Sequence, residues 1–124
     1  MTFEITILLV LYQLKHFLAD YPLQTAYMLG KFKEVGWKLP LSAHCLVHSL
    51  MTFAICLIFT DVTFTLMMVA LDFSMHFLMD RLKASPNHLG RFKIEQKEFW
   101  WALGLDQMVH HLTHYFIIYL VVTH

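Results

Sequence analysis

Residues 62–83 read V-T-F-T-L-M-M-V-A-L-D-F-S-M-H-F-L-M-D-R-L-K, an apolar run long enough to cross a hydrocarbon layer that nevertheless carries Asp72, His76 and Asp80. Four residues make slightly more than one helical turn, so these three side chains stack up one helix face. The same spacing recurs in three other apolar segments as His16/Asp20, His44/His48 and Asp106/His110, the last continuing to His114. Each pair can converge on a shared centre. Ionisable groups are costly to bury in lipid, and mutual neutralisation around cations is the simplest account of so many.

Composition agrees with a membrane protein. The chain has 124 residues, is 58% hydrophobic and has a mean hydropathy of +0.56, above the needs of a soluble domain of this size. It reads as one small domain over residues 1–124. The zero formal net charge gives no reason to expect a nucleic-acid partner. Cys45 and Cys56 lie eleven residues apart on one segment, too far along a helix to pair. The first twenty residues are apolar but contain Glu4 and no early basic residue, so they read as a retained helix rather than a cleaved signal.

The expected fold is all-α, an integral membrane bundle of four transmembrane helices at about 3–20, 41–60, 62–83 and 99–123. Pro22 stops the first helix and Pro40 marks the start of the second. Thr60-Asp61 makes a tight hairpin between helices 2 and 3, and the polar stretch from Ala84 to Glu98 is a loop with a short amphipathic helix over Arg91–Phe99. Lys31, Lys33 and Lys38, and then Arg81, Lys83, Arg91, Lys93 and Lys97, fall in or beside the two longer connections, whereas the 2–3 turn offers only Asp61. The positive-inside bias therefore puts both long loops in the cytoplasm, both termini outside, and the protein in the cytoplasmic membrane.

This topology puts all four ligand pairs in the cytoplasmic half, within about 5 to 17 Å of the boundary at 1.5 Å per residue. A lone intramembrane histidine is ordinarily a packing residue, but four pairs at one depth, with three carboxylates, point to a polar metal site. Its expected ligands are His16, Asp20, His44, His48, His76, Asp80, Asp106 and His110. Asp72 and His114, one turn deeper, can orient ligand imidazoles, ligate directly, or act as a general base. His111 and Cys45 are turned roughly 100° from their neighbours and are left out. Imidazole with carboxylate and no thiolate suits one or two divalent ions, zinc first, with manganese or iron as alternatives. Trp37, Trp100 and Trp101 fit an interfacial belt, and the methionines form no ligand set.

The runs H16-F-L-A-D20-Y-P-L-Q24, H44-x-x-x-H48, H76-F-L-M-D80-R-L-K83 and D106-Q107-M-V-H110 together resemble the bacterial and phage membrane proteins grouped as the domain of unknown function 3307. The resemblance covers nearly the whole chain, and a looser likeness in style links it to small membrane-bound metal-dependent hydrolases. It adds Gln24, Lys83 and Gln107 to the residues of interest. Lys83, one turn beyond Asp80, can receive an anionic substrate group, and the two glutamines can hydrogen-bond ligands or substrate.

The leading functional expectation is a metal-dependent hydrolase at the cytoplasmic face, acting on an amphiphilic or anionic substrate with Asp72, His114 and Lys83 assisting. A metal-ion or proton transporter or channel is the alternative, although the outer half is nearly all apolar in helices 1, 2 and 4. A diiron oxygenase and a metal-stapled structural or regulatory subunit are further readings. Besides lipid, a second copy of the chain is an expected partner, since four short helices shield a polar site thinly.

Overall fold

The computed structural model describes residues 2–124. Four helices dominate it: α1 (Thr2–Asp20), α2 (Lys38–Phe59), α3 (Val62–Ala84) and α4 (Lys97–Thr123), with short 3-10 turns at Met28–Phe32 and Leu89–Arg91 in the two longer connections. The bounds lie within three residues of those expected. Helix α2 starts early because Pro40 stands inside its first turn, where the missing N–H breaks no helical bond, and Gly36 takes the positive φ (77°) of the bend just before it. The expected short helix over Arg91–Phe99 does not form. Instead Gln96 closes a local turn, with its N–H donating to the Lys93 carbonyl at 2.9 Å and its Oε1 accepting from the Lys93 N–H at 2.7 Å.

The Thr60-Asp61 hairpin holds as read. Asp61 caps α3, its Oδ1 accepting from the Phe64 N–H at 2.8 Å, and such a cap contributes about 1 kcal/mol. Helix α1 packs on α2 and α4, and α3 packs on the same two, so α1 and α3 face one another across the bundle diagonal. One end of the bundle carries both long connections, and the other carries the hairpin and both termini. We call these the loop end and the hairpin end.

Among the described residues, three helical segments, Thr2–Asp20, Lys38–Phe59 and Val62–Arg91, are long and apolar enough to cross a bilayer. The chain is a multi-pass membrane protein. Helix α4 is the longest helix but falls short in hydropathy, because one stretch of it carries Asp106, Gln107, His110, His111 and His114. Of the four membrane-spanning helices expected, three meet the length and apolarity of a span, and α4 is a bundle helix whose polar content keeps it below that apolarity. Burial follows the membrane pattern. Val10, Leu14, Leu50, Ile58, Leu66, Leu112 and Phe116 point outward, while Lys15, His44, His48, Asp72, His76 and His110 are buried. In a water-soluble bundle that distribution would leave an untenable apolar surface.

Candidate metal centre

The ionisable residues meet at the loop end in two layers. In the upper layer Asp20 receives side chains from two helices: its Oδ2 lies 3.2 Å from His16 Nε2 within α1, and its Oδ1 lies 2.8 Å from His48 Nε2 and 3.3 Å from His44 Nε2 of α2. His44 Nε2 is also 3.2 Å from Asp80 Oδ2 of α3, so one imidazole sits between two carboxylates. On the far side, Asp80 Oδ1 is 3.2 Å from His110 Nε2 of α4, which is in turn 3.6 Å from Asp106 Oδ1. All four helices contribute.

The contacts differ in kind. His48 hydrogen-bonds Asp20, but His110 Nε2, Asp80 Oδ2 and Asp106 Oδ1 have no hydrogen-bond partner although they lie buried within 3.6 Å of opposite groups. Buried polar atoms without hydrogen-bond partners call for a partner, and a cation is one that such a set of imidazoles and carboxylates could hold. Among the described residues, four triads have all three ligand atoms within 4.8 Å of one another: His16/Asp20/His110, Asp20/His44/His48, Asp80/Asp106/His110 and, one turn deeper, Asp72/His76/His114.

In the deeper layer His76 Nδ1 lies 2.8 Å from Asp72 Oδ1 and 3.0 Å from the Asp72 carbonyl oxygen, so this nitrogen faces acceptors of Asp72 while Nε2 is buried without a hydrogen-bond partner. Asp72 also accepts from Thr52 Oγ1. At its centre is Lys15, whose Nζ is 3.1 Å from each of Asp72 Oδ2, His48 Nδ1 and His114 Nε2. This lysine is not among the site residues expected from the i,i+4 pattern. A basic residue buried between helices needs a carboxylate within reach, and Asp72 supplies it.

A cavity of about 140 Å³ opens from the upper layer toward the loop end, lined by Asp20, Asp80, Asp106 and His110 together with Lys31 and Lys83. Lys31 Nζ is 3.6 Å from Asp80 and Lys83 Nζ is 3.6 Å from Asp106. Lys83 is therefore paired with a carboxylate rather than free, and Lys31, read as a topology marker in a loop, is buried. The loop is folded back by two contacts. Gly30 lies so close to Pro40 that a Cβ there would be 2.7 Å from Pro40 Cγ, and Arg81 Nη1 donates to the carbonyls of Lys31 (3.0 Å) and Lys33 (3.1 Å) while its guanidinium stacks 4.0 Å from the Trp37 ring centre.

The residues added by resemblance also reach this region. Gln107 Oε1 accepts from His16 Nε2 at 2.8 Å, and Gln24 Nε2 donates to the Asp20 carbonyl at 2.8 Å, leaving Gln24 Oε1 buried without a partner. His111 is half-buried at the edge, its ring centre 5.2 Å from that of His16, and Cys45 is buried outside the triads. His88 hydrogen-bonds Ser85 in the loop and belongs to none of the triads. A larger groove of about 400 Å³ between α3 and α4 is walled by Leu71, Met75, Val109, Leu112, Thr113 and Phe116 and carries no ionisable side chain.

A family model described as a protein of unknown function (DUF3307) matches residues 7–124. The chain belongs to the DUF3307 family. That match takes in every residue of the two layers, so the buried His/Asp clusters lie wholly inside the DUF3307 region. No curated protein and no solved structure matches the chain.

Proposed function

We propose that this DUF3307 protein is a membrane-embedded, metal-dependent hydrolase whose divalent ion, zinc by preference, is held in the upper layer by Asp20, Asp80 and Asp106 with imidazoles from His16, His44 and His110. The observation that carries the reading is the buried triad Asp80, Asp106 and His110, whose ligand atoms lie within 4.8 Å of one another and whose Asp80 Oδ2, Asp106 Oδ1 and His110 Nε2 lack hydrogen-bond partners, at the head of a polar cavity. A divalent ion in such a site acidifies a bound water toward neutrality and supplies a nucleophile for ester or amide cleavage. Lys31 and Lys83 at the cavity wall suit an anionic group, and the apolar exterior beside Tyr21 suits an amphiphile. In this reading α4 crosses the bilayer with the other helices, its polar side chains covered by α1 and α3, and the basic loop end faces the cytoplasm. The apolar packing of the hairpin end speaks against a conduction path through one chain.

Elemental analysis of detergent-purified protein tests the centre. Stoichiometric divalent metal is expected in the native chain, near-complete loss in Asp20→Ala and Asp80→Ala, and full retention in His88→Ala. Equal content in all of them refutes the assignment. A second reading, a structural staple, draws support from the contribution of all four helices to one cluster. Lys83→Met separates the two: a hydrolase with an anionic substrate keeps its metal and its thermal stability but loses function in the cell, whereas for a staple that variant is silent.

A further inference from the structure

The deep layer has the ligand types of a second metal site, yet its centre is filled by an amine. An ammonium has three N–H donors and no acceptor, and Lys15 Nζ has three partners at 3.1 Å: Asp72 Oδ2, His48 Nδ1 and His114 Nε2. Its hydrogens are therefore matched one to one, and the lone pairs of His48 Nδ1 and His114 Nε2 are taken up by it. His48 must then carry its own hydrogen on Nε2, where Asp20 Oδ1 accepts it at 2.8 Å. In that arrangement both nitrogens of His48 are engaged, which suits it to orienting Asp20.

Charge balance leads to the same arrangement. In the upper layer three carboxylates, Asp20, Asp80 and Asp106, face two ammoniums, Lys31 and Lys83, leaving one negative charge for a cation to answer. Below it, Lys15 and Asp72 cancel, both almost fully buried. A second divalent ion there would add two positive charges with no counter-charge inside a membrane protein, where unpaired charge is most costly.

We propose that Lys15 is a built-in substitute for a second metal ion, so that the protein takes one divalent cation per chain, in the upper layer, and that Asp72, His76 and His114 form a latent second divalent site that removal of the Lys15 amine uncovers. His76 already faces Asp72 through Nδ1, 2.8 Å from Oδ1 and 3.0 Å from the carbonyl oxygen, its Nε2 is without a hydrogen-bond partner, and the three residues offer ligand atoms within 4.8 Å of one another. The proposal rests on the metal-binding reading above but not on hydrolysis.

The test uses the full chain in detergent, stripped with chelator and reloaded with zinc alone, with zinc counted per chain and thermal stability followed with and without zinc. Native protein should bind one equivalent and Lys15→Met two. Lys15→Met/Asp72→Asn, in which the buried carboxylate is neutralised as well, should return to one. If Lys15→Met is too unstable to purify metal-free, zinc should restore it, and Asp72→Asn should restore it without zinc. Two equivalents in the native chain, a folded Lys15→Met that still binds one, or a Lys15→Met rescued by neither zinc nor Asp72→Asn each overturns the proposal while leaving the upper centre standing. No zinc in the native chain removes that centre and this inference together.

Discussion

The two ends of the bundle solve one packing problem with opposite chemistry. At the hairpin end Leu8, Ile55, Phe64, Met68, Ile117, Ile118 and Val121 fill the interior, while at the loop end the same four helices bury His44, His48, His76, His110, Asp72 and Asp80. In lipid the apolar end gains little from solvent exclusion, because hydrocarbon surrounds it on both sides, and it holds together through shape and dispersion. The polar end is directional. Each of its groups requires a partner in one place, so it sets the rotation and depth of every helix. Tyr12 marks the boundary, its ring at the top of the apolar core and its hydroxyl 3.4 Å from Thr52 Oγ1, the donor to Asp72. One end supplies cohesion and the other registration.

That division can be broken by substitutions at the apolar end that should leave the metal untouched. Ile117 is fully buried, and Ile117→Ala is expected to cost about 2 kcal/mol, the low side of the range for soluble cores because lipid offers the removed atoms an equally apolar home. Unfolding in mixed detergent should register that loss with metal content unchanged, and a fall in bound metal in step with stability would show that the two ends are not separable. A smaller effect is expected at the polar end from Gly30→Ala. The new Cβ meets the rigid Pro40 ring, so the turn must move away at a cost of about 1 to 2 kcal/mol, drawing Lys31 off Asp80. Faster labelling of Lys31 by an amine reagent, read by peptide mapping, would report the movement, and an unchanged labelling rate would mean that the turn is held by Arg81 alone. The smallest effect belongs to Asp61→Ala, which removes the α3 cap for about 1 kcal/mol and should alter neither metal nor labelling.

The helices were legible because apolar length and the Thr60-Asp61 break are local signals, and the i,i+4 pairs were legible because helical geometry forces them onto one face. Their meeting at one depth followed from alternating helix direction. Three cations were not legible in the same way. Lys15 was missed because a polar residue near the end of an apolar run resembles ordinary helix-end polarity, Lys31 because loop lysines normally face water, and Arg81 because its partners are backbone carbonyls of residues 31 and 33, which carry no sequence signal. The extra helix expected over Arg91–Phe99 reflects the converse: a side chain, Gln96, competed locally for the backbone. The shortfall of α4 as a span belongs with these, since the residues that lower its hydropathy are those that build the centre.

The contact between Lys15 and His114 joins residues 99 positions apart, almost the full length of the chain. A ribosome adding about 5 to 20 residues per second makes Lys15 wait roughly 5 to 20 s for that partner, and more than half of that time for Asp72. The buried ion pair that matches the α1 amine is therefore completed only after α3 has been made.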